Sequence, residues 1–233
     1  MSIYNFTLSR QLLRNLSIIS LTVLLLYGAS RVILPAPATD ISTAIPQGKQ
    51  VAVFAGGCYW GIEAVFEHLL GVSDVVSGFS GGDARTADYT LVSAGLTNHA
   101  ESVKITYDPS KISYNQLLKV YFLVAHDPTE LNRQGPDSGK QYRSAIFFTN
   151  EEQKQAAQKY IAQLNKSRIF DKPIVTELDP LKGFYQAAAY HQNYIVHHPS
   201  DRYVVVNDLP KLAKLQAKFP DMYSNSEGTG NRQ

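Results

Sequence analysis

The chain holds a single cysteine in 233 residues, Cys58, and the stretch around it, AGGCYWG from Ala55 to Gly61, constrains the neighbouring fold more than any other feature. Before it, Val51 to Ala55 is a short apolar run of the kind a buried strand shows. After it, Ile62, Val65, Phe66, Leu69 and Leu70 recur at the spacing of one helix face, with Glu63 and Glu67 on the opposite face and Gly71 as a C-terminal stop. The pattern predicts strand, glycine turn and helix, with Cys58 in the first helical turn. Unpaired backbone N–H groups and the positive end of the helix dipole would there favour a thiolate and lower its pKa. Gly56 and Gly57 let the backbone turn and leave the sulfur uncrowded, and Tyr59 and Trp60 set two aromatic faces beside it. Two readings stay open on these residues: a reactive thiol, or a small buried hydrophobe, the commoner fate of a free cysteine.

A lone cysteine excludes an internal disulfide, a cysteine-based zinc site and a two-cysteine relay within the chain. The net charge of +2 gives no electrostatic case for nucleic acid. Residues 1 to 34 carry Arg10, Arg14 and Arg31, no acidic residue and an apolar run, Leu16 to Ala29, the pattern of a signal peptide or membrane anchor. That predicts an exported or membrane-anchored protein whose catalytic domain lies outside the cytoplasm, with membrane association through the N-terminus. Residues 35 to 49 contain Pro35, Pro37 and Pro46 and read as a linker, and 221 to 233 read as a disordered tail. Residues 50 to 220 have the length of one domain with a substantial core, expected to be monomeric.

Within it, Val72 to Phe79 leans toward strand, and Val103, Ile105 and Tyr107 alternate with Ser102, Lys104 and Thr106 as in a half-buried strand. Ser113 and Gln116 form a capping box for a helix to about Ala125, with Leu117, Tyr121 and Val124 inward. A polar loop, His126 to Gly139, leads to a strand over Ser144 to Phe148. Asn150 caps a second helix with Ala157, Tyr160, Ile161 and Leu164 on one face. A strand is expected over Ile174 to Leu178, and a helical turn or two over Tyr185 to Tyr194. Few connections are long enough for a crossover helix, so the expected fold is α+β, a two-layer sandwich of a mixed, mostly antiparallel sheet with packed helices.

Three other stretches concentrate reactive groups. Glu101 sits just ahead of the strand expected from Ser102, two residues after His99, a position open to a solvated surface role as well as a chemical one. Asp137, Tyr142 and Arg143 fall at a loop-to-strand junction, where turn formation and core packing are the plain alternatives. His191, His197 and His198 suggest metal, but adjacent histidines point apart and no carboxylate or cysteine stands at ligand spacing, so no metal is expected.

Taken together, GCYWG, GFSGG, the stretch Tyr89 to Glu101 ending in NHAE, HDP, QYRSAIFF and YHQNY occur in the order found in A-type peptide methionine sulfoxide reductases, and residues 50 to 200 resemble that family. The resemblance implies that Cys58 attacks the sulfoxide sulfur and that Tyr59 and Trp60 bind the substrate methyl group. It assigns Glu101 as the acid, with Tyr89, Tyr142 and Asp137 lining the site. It further implies reduction of methionine (S)-sulfoxide, free or in oxidised proteins and peptides, with no bound cofactor. Tyr59 stands where phenylalanine is usual, Asn98 where glycine is frequent, and Lys140 is a further departure. With no second cysteine, an external thiol reductant (thioredoxin, glutaredoxin or a small thiol) must resolve the sulfenic acid on Cys58. Two other classes use the same residues. A cysteine hydrolase would need His99 or His191 within reach of the sulfur, and a non-catalytic binding module would leave Glu101 exposed and Cys58 inert.

Overall fold

The structure, a computed structural model, describes residues 48–225. The expected N-terminal leader or anchor, the linker up to residue 47 and the tail from residue 226 lie outside the described residues. Among the described residues, no helix is long and apolar enough to cross a membrane.

The centre of the fold is a mixed six-stranded sheet of order β7-β6-β1-β3-β2-β8, built from β1 (Gln50–Gly56), β2 (Val72–Ser80), β3 (Ala100–Tyr107), β6 (Ser144–Phe148), β7 (Glu177–Pro180) and β8 (Phe184–Gln186). Only β6 and β7 pair in parallel. Two short strands, β4 (Arg133–Gln134) and β5 (Asp137–Ser138), form a separate hairpin inside the expected polar loop. β1 is buried on both faces, which its unbroken apolar run encodes. On one face Phe54 meets the rings of Phe66, Tyr114 and Tyr121, so the helices α1 (Tyr59–Glu67) and α3 (Tyr114–Val120) cover it. The other face carries Val53, Ala55, Ala100, Ala145 and Phe147, closed by Val51, Leu181 and Phe184. The expected α+β architecture is therefore the observed one.

Local chemistry accounts for the helix limits. Ser113 and Gln116 make the full capping box of α3, whose end continues as one wide π turn over Tyr121–Ala125 rather than as regular helix. Asn150 accepts from the Gln153 N–H to start α4 (Glu151–Ser167). Four expectations change. α1 stops at Glu67, because Gly71, at φ +92°, turns the chain into β2 and leaves Leu70 on the surface. Glu63 and Glu67 are buried rather than outward, because the segment after β8 packs on that side of α1 and the Asn193 N–H donates to Glu63. The strand expected over Ile174 to Leu178 forms three residues later, where β6 offers its free edge. The segment Tyr185 to Tyr194 begins as edge strand β8 on β2 before a single tight turn, Ala189–His191. At the C-terminus, Tyr223 bridges Leu69 and the Ser224 N–H donates to the His68 carbonyl, so the first residues of the expected tail are packed.

Candidate active site

β1 ends at Gly56, and the chain turns through Gly57 at φ +101°, a conformation that glycine adopts freely. A side chain at Gly57 would also strike Gln134 of β4 at 2.6 Å, so this glycine lets the β4–β5 hairpin close on the turn. Gln134 in turn clasps the backbone of Asp127 in both directions. Cys58 follows as the N-cap of α1, not within its first turn, and is buried.

Register explains the next partner. Phe54 pairs with Val103, and Glu101 lies two residues back on β3, so its side chain points to the same helix-covered face. Glu101 stands inside the strand, is 3% exposed, and accepts the Tyr59 N–H at 3.1 Å, the first free amide of α1. Burial pushes its carboxyl up to about 8; the Tyr59 amide opposes this and the Asp137 charge adds to it. Near neutral pH this carboxyl is therefore mostly protonated.

The thiol departs from the expectation. Burial, the Glu101 carboxylate and the Asp208 carboxylate push Cys58 well above the ordinary thiol range, while the Trp60 backbone N–H and Lys211 pull it down by less. The Trp60 amide, in the first turn of α1, is what the helix end contributes, and it lowers the thiol pKa by less than desolvation raises it.

Cys58, Glu101, Tyr89, Tyr142, Asp137, Tyr59 and Trp60 all line one cavity of about 200 Å³. Every residue that the family resemblance assigned to the site reaches it, whereas Arg143, His99, His191, His197 and His198 are not among its walls. Tyr89 opens the short helix α2 (Tyr89–Ser93), whose N-cap Asp88 accepts from the Thr90 and Leu91 amides. Tyr142 ends a tight turn directly before β6. Neighbouring Arg143 clamps that junction by donating to the Asn98 carbonyl and to Glu177. Trp60 is fixed by a stack on Tyr194, centroids 3.6 Å apart and planes within 5°, and by its indole N–H donating to His191 at 3.3 Å. His191 faces Trp60, and His99 holds the Asp83 carbonyl at 3.0 Å. The titratable groups acting on the sulfur include Glu101, Asp208 and Lys211.

One wall residue, Tyr203, escaped the sequence reading. Its hydroxyl donates a very short hydrogen bond to Asp137, and its ring meets Trp60 edge-on at 6.1 Å. It lies nine residues beyond YHQNY in a stretch with no periodicity or motif of its own, so only the folded C-terminal segment reveals it.

The family model for peptide methionine sulfoxide reductase matches residues 50–223, the whole of this fold and every wall of the cavity. The chain belongs to this family. A peptide methionine sulfoxide reductase of Mesorhizobium japonicum is 56% identical over 177 residues, covering 76% of this chain and 91% of that protein. Another from Synechocystis is 52% identical over 191 residues, covering 81% and 89% respectively. Among solved structures, methionine sulfoxide reductase A of Corynebacterium diphtheriae superposes with a TM-score of 0.57 at 32% identity, over 71% of this chain and 82% of that one. Mxr1 of Saccharomyces cerevisiae in reduced form gives 0.59 at 30% identity, over 66% and 88%. For a methionine sulfoxide reductase, the cavity brings together a thiol, a protonated carboxyl and an aromatic wall.

Proposed function

We propose that this reductase converts methionine (S)-sulfoxide, free or in oxidised proteins and peptides, to methionine, with Cys58 as nucleophile and Glu101 as acid. The observation that carries the reading is the meeting of the lone thiol with a carboxyl held protonated to about pH 8, inside one aromatic cavity. The sulfur attacks the sulfoxide sulfur while Glu101 donates its proton to the sulfoxide oxygen. The hydroxyls of Tyr89 and Tyr142, whose pKa values burial holds above the ordinary range, remain protonated donors toward that oxygen as charge develops, while the Tyr203 O–H is already given to Asp137. Asp137 orients Tyr203, and the Tyr59 and Trp60 rings receive the methyl group. A neutral Glu101 also removes the first of the two carboxylate charges that oppose a thiolate on Cys58.

The oxygen moves from the substrate sulfur to Cys58, giving methionine and a sulfenic acid. An external thiol condenses with that acid, releasing water and leaving a mixed disulfide. A second thiol breaks the disulfide and restores Cys58. Thioredoxin, glutaredoxin or a small thiol can fill this role. The basic, apolar N-terminus extends the proposal to an exported or membrane-anchored enzyme.

Single-turnover incubation without added thiol tests the chemistry. It should yield one equivalent of methionine from the S epimer, none from the R epimer, and a trappable sulfenic acid carrying one added oxygen at Cys58. Methionine release with Cys58 still a free thiol, or equal rates on both epimers, would remove the assignment.

A further inference from the structure

Behind the cavity, and not among its walls, stands a buried ion pair that the chemistry above does not use. Lys211, on α5 (Leu209–Lys218), donates from Nζ to Asp208 Oδ1 at 3.0 Å; Asp208 is fully buried and the lysine side chain is 16% exposed. The other carboxylate oxygen, Oδ2, is buried and meets no hydrogen-bond partner in the protein. The pair presses on α1 where Gly61 stands: a side chain there would lie 2.1 Å from Asp208 Oδ1 and 2.6 Å from Lys211 Nζ. Gly61 follows Cys58 by three residues, and positions three apart adjoin on a helix surface, roughly 5–6 Å between Cβ atoms. Opposite charges are thus held one helical turn from the thiol. Two desolvated charges are weak evidence of stability, since well-packed apolar groups often do as well. An apolar filling would, however, leave the sulfur facing carboxylates alone.

We propose that the Asp208–Lys211 pair is a positioning device for Cys58, resting on the reading of Cys58 as nucleophile: Lys211 is the cationic partner of the charge that develops on sulfur, and Asp208 holds and moderates it. Other groups face the sulfur as well. Glu101 comes from β3, and Tyr59, Tyr89, Tyr142, Tyr194 and Tyr203 come from the surrounding elements. Among the groups named here as acting on Cys58, Lys211 is the cation. Neither member of the pair lines the cavity, so its effect is on how readily the thiol ionises and not on which substrate fits.

The test is the pH dependence of Cys58 alkylation by the neutral reagent iodoacetamide, which needs no substrate and so stands even if the assigned reaction fails. Asp208→Asn leaves the cation unopposed beside the sulfur. It should move the midpoint to lower pH and speed labelling at pH 7 by roughly threefold or more. Adding Lys211→Met to that variant should return the midpoint to within about 0.3 unit of wild type. Lys211→Met alone should move the midpoint upward, because the sulfur then faces carboxylates without the cation. If Asp208→Asn does not fold, the upward shift of Lys211→Met decides. An unmoved midpoint in a folded single variant, or single variants shifting in the same direction, overturns the proposal.

Discussion

Glu101 and Glu63 are near twins in environment. Glu101 is 3% exposed and Glu63 1%, each accepts a backbone N–H at 3.1 Å, and burial pushes both up to about 8. They flank the same helix, Glu101 at its start and Glu63 one turn in. A neighbouring acid raises each further, Asp137 for Glu101 and Glu67 for Glu63. What separates them is what they face. Glu101 opens onto the cavity that holds Cys58, whereas Glu63 is sealed beneath the chain at Ser77 and Asn193. A displaced acidity marks burial, and only access to a reacting atom turns it into catalysis.

The largest expected effect breaks the comparison kinetically. Glu101→Gln should slow single-turnover formation of methionine roughly 10²-fold or more, the usual worth of a general acid, while Glu63→Gln should stay within about threefold of wild type. A comparable loss in both variants would mean that Glu101 acts by packing, as Glu63 does.

The same contrast should appear in pH profiles. With the thiol titrating well above the acid, kcat/KM should climb with pH as thiolate accumulates, then level off near pH 8 because Glu101 loses its proton as fast as Cys58 does. Glu101→Gln, already slow, should show no break at 8 and keep climbing into the alkaline range. Glu63→Gln should keep the break. A wild-type break that survives Glu101→Gln belongs to another group, with the tyrosines next in line.

Thermodynamically the twins should stay alike. A carboxyl at about 8 in the folded chain and near 4.5 when unfolded keeps its proton longer when folded, so stability falls as pH rises from about 4.5 to about 8 and is level outside that window. Either Glu→Gln variant should flatten this decline by on the order of 3–4 kcal/mol, read from denaturant midpoints at pH 5 and pH 8.5. A flattening in one variant alone would show that the other carboxyl is ionised or solvated in the folded state.

The sequence revealed the site more fully than its electrostatics. β1, β3, β6 and the capped helices follow from periodicity and local hydrogen-bonding residues, all short-range signals. Cys58, Glu101, Tyr89, Tyr142 and Asp137 were legible because linked motifs recur in family order, not because their spacing shows that they meet. The inward turn of Glu63 and Glu67 was hidden, because helical spacing gives a face but not what covers it, and the cover here comes 130 residues later, at Asn193. Tyr203, Asp208 and Lys211 were hidden for the same reason. The raised pKa of Cys58 was missed because a helix N-terminus is local, whereas burial and the carboxylates of Glu101 and Asp208 arrive through the tertiary fold.

The smallest predicted effect concerns Tyr59, a third buried polar group and the residue that departs from the usual phenylalanine. Its hydroxyl is buried and meets no hydrogen-bond partner in the protein, while its ring lies 6.0 Å from Phe79 and meets His191 edge-on at 5.3 Å. An unpaired buried hydroxyl carries a desolvation cost of about 1–3 kcal/mol, offset in part by the contacts its oxygen makes. Tyr59→Phe removes that oxygen and keeps the ring. It should therefore raise stability by about 1 kcal/mol and leave single-turnover rates within about threefold, because the methyl pocket needs the aromatic face rather than the hydroxyl. Thermal or denaturant midpoints and the S-epimer assay read the two quantities separately. A tenfold fall in kcat/KM with stability unchanged would place the Tyr59 hydroxyl against the bound sulfoxide, making it a donor beside Glu101 instead of a tolerated defect in the wall.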